Sequence, residues 1–156
     1  MLFRTTIEDD YDMYPPWKEE DSHGPVSAWV HRTKRPGERL LHQSQGDQLY
    51  YDFAEAVRIA RRARWDSPPY KTGTKREQAV RAVQADFEWL KAWCDNSWSY
   101  VGVIVTDIET DESESLWGIP SDNIAYIKEV EIELTTQLAE RILNSDKDPR
   151  QLELSL

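Results

Sequence analysis

One segment of the chain, WSYVGVIVTDI at residues 98–108, constrains the fold more than any other. Successive side chains of a strand point to opposite faces, and here the apolar residues fall on both faces. They are Val101, Val103 and Val105 on one face and Tyr100, Ile104 and Ile108 on the other. A strand that is apolar on both faces must be covered on both, so we predict a central strand. SLWGI, residues 115–119, follows an acidic turn and predicts its hairpin partner.

A long helix is predicted immediately before this strand. Thr74 and Glu77 have the spacing of a capping box, which predicts a helix that begins at Lys75. Its apolar residues recur at intervals of three and four as far as Cys94, and Asp95-Asn96 ends it. Cys94 therefore lies on the predicted buried stripe, as a small hydrophobic residue rather than a reactive thiol.

A second amphipathic helix is predicted after the hairpin. Ser121 has the character of an N-cap, and the helix should run to about Asn144. Its buried stripe comprises Ile124, Ile127, Val130, Leu134, Leu138 and Ile142. Pro149, in the polar segment SDKDPR, prevents the helix from continuing.

The first part of the chain predicts a hairpin followed by a helix. VSAWVHRTK at 26–34 is a β-like run, a Pro-Gly turn follows it, and RLLHQSQ at 39–45 is a second strand. Asp47 then resembles the N-cap of a helix that runs through QLYYDFAEAVRIARRARW. Residues 1–25, rich in acidic residues and proline, predict an irregular arm.

This order of elements predicts an α+β fold, with a small, mostly antiparallel sheet of two hairpins packed with three helices. The predicted organisation has three parts. They are an irregular acidic arm at 1–25, a single α+β domain at 26–144, and a flexible C-terminal tail at 145–156 that carries a peptide motif.

The net charge of −10 is unevenly distributed along the chain. Residues 1–25 sum to −5, residues 26–85 to +6 and residues 86–156 to −11. Either the acidic parts fold against the basic middle, or they present an acidic surface to a basic partner. Such a surface repels nucleic acid, so we expect no direct nucleic-acid binding. The basic run RIARRAR is explained by the end of a helix, where cations are favoured.

The residue patterns of common catalytic and cofactor sites are missing from the sequence. His23, His31 and His42 do not combine with the lone cysteine in a metal-ligand spacing, so no metal and no cofactor are expected. No glycine-rich phosphate loop or nucleophile motif occurs. We therefore expect a protein that is not an enzyme. The alternative is a pocket of aromatic and acidic side chains that are distant in sequence.

Residues 151–156 read QLELSL and resemble the Q-L-x-L-x-L hexapeptide with which polymerases and clamp regulators bind the bacterial sliding clamp. The resemblance implies that Gln151 forms hydrogen bonds in the polar part of the clamp pocket. Leu152 would pack beside it, and Leu154 and Leu156 would fill the apolar part. A short extended peptide can present alternating side chains to a groove in this way. The alternative is a terminal strand that packs its leucines onto the sheet.

The body carries a second resemblance, over about residues 75–135. LKAWCDN at 90–96, WSYVGV at 98–103 and SLWGIPSD at 115–122 resemble motifs of small uncharacterised proteins encoded by bacteriophages and prophages. This chain departs from them at Pro120, where an acidic residue is expected, and in the order of Asp95 and Asn96. The resemblance implies a phage origin and a location in the host bacterial cytoplasm. A single cysteine, which cannot form an internal disulfide, suits that reducing compartment. The resemblance implies no activity.

These features predict a phage-encoded interaction protein that binds the DNA polymerase III beta sliding clamp and modulates or inhibits host replication. The binding residues would be Gln151, Leu152, Leu154 and Leu156. The alternative is an acidic counter-defence protein that resembles DNA and blocks a basic nucleic-acid-binding host protein. Its surface would combine the helix at 122–140 with Asp107, Glu109, Asp111, Glu112 and Glu114.

Overall fold

The computed structural model describes residues 1–65 and 72–146 of the chain. The strands in these ranges are β1 (Phe3–Asp9), β2 (Glu38–Ser44), β3 (Asp47–Asp52), β4 (Tyr100–Asp107) and β5 (Ser113–Pro120). The helices are α1 (Pro16–Glu19), α2 (Phe53–Ala63), α3 (Lys75–Cys94) and α4 (Ile124–Asp146). Every strand pair is antiparallel, which confirms the predicted α+β class.

The chain divides into two compact units where the sequence predicted a single domain over 26–144. Unit 1 comprises Met1–Met13 and Trp98–Leu156, and unit 2 comprises Tyr14–Ser97. The two predicted hairpins accordingly belong to separate sheets, one of three strands and one of two. Unit 2 is thus an insertion between the first strand of unit 1 and the remainder of that unit.

Unit 1 is a three-stranded sheet in the order β1-β4-β5, with α4 packed on one face. The predicted central position of β4 is confirmed, because β1 and β5 pair with its two edges. The core is formed by Val101, Val103, Val105 and Ile119 from the sheet and by Val130, Leu134, Leu138 and Ile142 from α4. The apolar stripe predicted for the last helix is therefore buried along most of its length. Ile124 is the exception, with 64% of its surface exposed.

The strand β1 corrects the prediction of an irregular arm at 1–25. Phe3 pairs with Asp107 and Asp9 pairs with Val101, so seven residues of the predicted arm belong to the sheet. FRTTIED alternates poorly, and its pairing partner lies far along the chain. A strand of this kind is specified by a long-range contact, which a local pattern does not reveal.

Unit 2 combines α2 and α3 with the β2–β3 hairpin. Its core contains Leu41, Leu49, Tyr51, Ala56, Ala60, Ala79, Val83, Phe87 and Leu90. The predicted pairing of 26–34 with 39–45 is wrong, because β2 pairs with β3 instead. Residues 26–34 contribute isolated bridges at Val26 and Val30. Positive φ angles at Gln45 and Gly46, 53° and 85°, form the two-residue turn that suits a hairpin.

The helix α2 begins later than the sequence predicted. Asp47 opens β3, whereas Asp52 is the N-cap and accepts a hydrogen bond from the Glu55 amide at 3.0 Å. Leu49, Tyr50 and Tyr51 are buried in the strand. The error arose because a short run of apolar and aromatic residues fits both the start of a helix and a buried strand.

The helix α3 confirms the capping-box prediction, while α4 uses another cap. The Thr74 hydroxyl accepts a hydrogen bond from the Glu77 amide at 3.2 Å. At α4 the Asn123 side chain accepts from the Tyr126 amide at 3.2 Å. Ser121 instead accepts from the Ser99 amide at 3.0 Å and so joins the segments that flank the β4–β5 hairpin. Two polar residues stand close to this helix start, and sequence does not decide between them.

Candidate interaction surfaces

The charge of the protein separates by compact unit. Unit 1 contains seventeen acidic residues against five basic ones, a net charge of −12. Unit 2 contains twelve acidic residues against fourteen basic ones, a net charge of +2. The uneven charge seen along the sequence therefore corresponds to one strongly acidic unit and one that is slightly basic.

The turn between β4 and β5 contains the acidic residues singled out by sequence, and it corrects the assignment of Asp107 to the surface. This carboxylate is fully buried. It accepts hydrogen bonds from the Thr110 hydroxyl at 2.7 Å and from the Thr110 amide at 3.2 Å. These bonds lower the pKa of Asp107. Through Oδ2 the residue organises the turn, and its burial closes it to a partner.

Three of the other predicted acids remain available at this turn. Glu109, Asp111 and Glu112 are exposed, and none of them has an ion-pair partner among the described residues. Glu114 is half-buried and pairs with Arg141 of α4. Asp111 has a positive φ of 62°, the left-handed conformation that Asp adopts in tight turns. The acidic surface is therefore smaller at the turn than the sequence predicted.

The outer face of α4 extends the acidic character of unit 1. Glu129, Glu133 and Glu140 are exposed along it. Ile132 is also exposed, at 67%, between two of these carboxylates. The predicted acidic helix at 122–140 therefore presents both charge and an apolar side chain to the surroundings.

The hexapeptide of the sliding-clamp prediction lies outside the described residues. Gln151, Leu152, Leu154 and Leu156 all belong to this segment, as does the preceding Pro149. The described part of α4 reaches Asp146, two residues past the predicted end of the helix. The assignment of the segment to clamp binding stays a prediction.

A cavity of about 270 Å³ in unit 2 brings together Cys94, His42 and three tryptophans. Trp17 and Trp93 meet edge to face at 5.5 Å, and Trp29 approaches His42 at 5.9 Å. Burial, with a smaller contribution from Asp95, raises the pKa of the Cys94 thiol to about 11. The thiol is therefore protonated at neutral pH, which is the opposite of what a nucleophilic cysteine requires.

Sequence analysis missed a polar network in the interior of unit 2. The Asp86 carboxylate accepts hydrogen bonds from the Tyr51 hydroxyl at 2.7 Å and the Gly24 amide at 2.9 Å. His23 Nδ1 lies 2.6 Å from the same carboxylate, and its ring stacks on Trp89. An Asp–His pair can serve in catalysis. Here the His23 side chain is only 8% exposed, which closes it to a substrate and favours a structural role.

The described residues also bear on two other kinds of site, a metal centre and a membrane-spanning helix. Within residues 1–65 and 72–146, no three His, Cys, Asp or Glu side chains are grouped so that they could hold a metal ion. In the same ranges, no helix has both the length and the apolar character needed to cross a membrane. Neither finding points to a metal centre or to a membrane-spanning element.

Comparison with protein-family models, curated proteins and solved structures yields no match for this chain. The relationship to phage proteins and the clamp-binding role of the hexapeptide therefore stay predictions. Function has to be inferred from the chain's own charge, geometry and sequence motifs.

Proposed function

We propose that this chain is a non-enzymatic interaction protein that binds the bacterial sliding clamp through residues 151–156. The pattern QLELSL carries the proposal. Its glutamine supplies a hydrogen-bonding head group, and its leucines alternate as an extended peptide in an apolar groove requires. Binding there would place the protein in competition with host polymerases, which is how it would modulate or inhibit replication.

The packing of unit 1 closes one face of its sheet to a terminal strand. The face of the sheet that bears Val101, Val103 and Val105 is covered by α4, whose buried stripe continues to Ile142. A terminal strand with three leucines on one side would have to use the opposite face, where the Trp117 ring lies over Gly102 and is 44% exposed. In the described residues, α4 already covers the core of unit 1. The leucines of residues 151–156 are proposed to bind the clamp instead of packing on this core.

The chemistry of the described side chains supports a binding role rather than a catalytic one. The Cys94 thiol has a raised pKa, and the interior His23–Asp86 pair is closed to substrates. The exposed acids of unit 1 also support a role that does not process DNA, because their charge repels DNA phosphates near the clamp. The protein is proposed to occupy the clamp without processing DNA.

The test is a binding titration of the full chain against purified sliding clamp. Replacement of Gln151, Leu154 and Leu156 by alanine should weaken binding by about a hundredfold or more, because these positions carry the anchoring contacts. Glu153→Ala with Ser155→Ala is the matched control, since it changes the two positions that the motif leaves free, and it should bind within about threefold. Equal binding by both variants would contradict the proposal.

A deletion of residues 151–156 separates the peptide from the strand. We expect clamp binding to vanish while the thermal unfolding midpoint of the body stays unchanged. A fall of several degrees in that midpoint, about what the loss of 1 kcal/mol or more produces, would instead show that the leucines belong to the core.

A second candidate function is favoured by the segregation of charge. Unit 1 has a net charge of −12. Its β4–β5 turn carries three exposed carboxylates, and none of them has an ion-pair partner among the described residues. A surface of this kind complements the basic groove of a DNA-binding protein, and complementary charge raises association rates and selects partners. The protein would then block that groove in place of DNA.

Salt and charge variants test this second candidate against a basic DNA-binding protein of the bacterial host. Affinity should fall steeply with added salt, and DNA should compete. Glu109→Gln, Asp111→Asn and Glu112→Gln together should weaken binding. A control that removes three exposed acids from unit 2, at Asp21, Asp47 and Glu88, should not. Affinity that is flat with salt, or equally reduced by the control, would rule the candidate out.

A further inference from the structure

A cleft of about 430 Å³ lies between the end of α2 and the start of α3, within unit 2. Arg61, Arg62 and Arg64 line it from the first side, and Lys75 and Gln78 from the second. Trp65 supplies an aromatic surface. Its volume lies in the range of small-molecule sites, roughly 300–1,000 Å³. The cleft is therefore a basic cavity with one aromatic wall.

The end of α2 positions the aromatic wall. Arg64 adopts a left-handed conformation with φ 53°, and its amide donates to the Ala60 carbonyl. The Trp65 amide donates to the same carbonyl at 3.0 Å. This turn ends α2, and Trp65 packs against the core of unit 2, where it is partly buried. The indole is held in place before any ligand arrives.

The positive charge of the cleft is largely uncompensated. An adjoining cavity shares Arg61, Arg62 and Lys75. Among the described residues that line the two cavities, Glu55 is the one acid. Glu55 pairs with Arg58 at 2.6 Å and approaches Arg62 at 3.7 Å. Arg61, Arg64 and Lys75 are exposed and have no ion-pair partner among the described residues. Like charges held together in this way repel one another, which favours binding of an anion.

The helix dipole explains the positions of Arg61 and Arg62 but not that of Lys75. Arg61 and Arg62 lie in the last turn of α2, where cations are favoured. Lys75 and Arg76 are the first two residues of α3, where the helix dipole disfavours a cation. The helix dipole therefore does not explain a cation at this position, whereas an anion bound in the cleft would.

We propose that this cleft binds a nucleotide, with its phosphate held by Arg61, Arg64 and Lys75 and its base against Trp65. Guanidinium groups match phosphate oxygens in charge and geometry, and aromatic side chains stack on bases of any sequence. The nucleotide is either free or part of a single strand. The expectation of no nucleic-acid binding rested on the charge of the whole chain, whereas unit 2 alone is slightly basic.

Fluorescence anisotropy of the full chain with a labelled oligodeoxythymidine of about twelve nucleotides tests the proposal, at roughly 50 mM salt. ADP and inorganic phosphate serve as competitors. The double variant Arg61→Gln, Lys75→Gln should bind at least about tenfold more weakly, since it removes two phosphate contacts. Displacement by ADP at low concentration identifies a free nucleotide as the source. Oligonucleotide binding that resists ADP identifies a single strand.

The matched control is Lys18→Gln with Lys34→Gln, which removes the same charge from exposed positions of unit 2 outside the cleft. It should bind within about twofold of the parent chain. Three results overturn the proposal: no binding of either nucleotide probe at low salt, equal weakening by the control, or displacement by polyglutamate as effective as by the oligonucleotide. The last result would show that the cleft recognises charge alone.

Discussion

The Tyr51 hydroxyl donates a 2.7 Å hydrogen bond to the Asp86 carboxylate, and so joins β3 to α3 across the core of unit 2. Tyr51 is fully buried and the Asp86 side chain is only 10% exposed. Burial first, and then the charge of Asp86, raise the pKa of Tyr51. The phenol therefore stays neutral and able to donate throughout the physiological range.

Tyr51→Phe should lower the free energy of unfolding by about 1.5–3 kcal/mol, because it removes a buried hydrogen bond to a charged group. Denaturant titration measures the change. Tyr11→Phe is the matched control, since its hydroxyl also donates to a carboxylate, that of Asp9, but 88% of Tyr11 is exposed. The control should cost less than about 0.5 kcal/mol. Similar small losses in both variants would mean that the buried bond contributes no net stability.

The paired side chains of Arg32 and Glu38 give stability a specific dependence on pH. Two parallel bonds at 2.8 and 2.9 Å join the guanidinium to the carboxylate and lower the pKa of Glu38 to about 2. Because the folded-state pKa is depressed, the stabilisation is present above the ordinary value of 4.5 and is lost as pH falls towards 2.

Glu38→Gln should therefore cost about 1 kcal/mol at neutral pH, and this difference from the parent chain should shrink below pH 4.5 and be lost near pH 2. Denaturant titrations at several pH values measure it. Asp21→Asn, at an exposed position of the same unit, is the control and should show no such dependence. A difference that stays constant down to pH 2 would contradict the role of the ion pair.

Gly102 is required in β4 by the ring of Trp117. A Cβ atom at position 102 would overlap the indole of Trp117, which lies on β5 beside a register shift. Gly102→Ala should destabilise unit 1 by about 1–3 kcal/mol through this overlap. In a Trp117→Leu background the same substitution should cost below about 0.5 kcal/mol. Thermal unfolding of the four members of this cycle gives the coupling energy, and additive effects would contradict the contact.

Cys94 should react slowly with thiol reagents at pH 8. With a pKa of about 11, its thiolate fraction there is roughly a hundredfold below that of an ordinary cysteine. Since the chain has one cysteine, the reaction reports on this residue alone. A Cys94→Ala variant with Lys34→Cys provides an exposed thiol for comparison. Equal rates for the two proteins, or a rate profile with its midpoint near pH 8.5, would refute the raised pKa.

Sequence was sufficient for the elements that local patterns specify. The capping box at Thr74 predicted the start of α3 at Lys75, and the apolar repeat up to Cys94 predicted its end near Asp95-Asn96. The two-sided apolar pattern of residues 98–108 predicted a central strand. It was insufficient for β1 and β3, since one pairs with a distant strand and the other contains an apolar run that also suits a helix. The division into two units was missed with β1, because the pairing of β1 with β4 places residues 1–13 in unit 1.

The candidate sites show the same division. Sequence predicted an exposed turn at Glu109, Asp111 and Glu112, and all three are exposed, while their role in binding stays a prediction. It also counted Asp107 as surface, because burial is decided by the folding of the turn rather than by residue type. The cleft was missed because Arg61 and Lys75 come from separate helices, and because the end of α2 was an adequate explanation for the arginines in isolation.

The insertion of unit 2 separates the order of synthesis from the order of assembly. On the ribosome β1 is made first, but its partner β4 emerges only after all of Tyr14–Ser97 has been translated. The core of unit 2 comes from one continuous segment of the chain, so unit 2 can fold while β1 is still unpaired. Ile7, half exposed even in the finished sheet, is then open to other nascent chains and to chaperones. The time taken to translate residues 14–97 is thus the shortest time for which β1 lacks its partner strand.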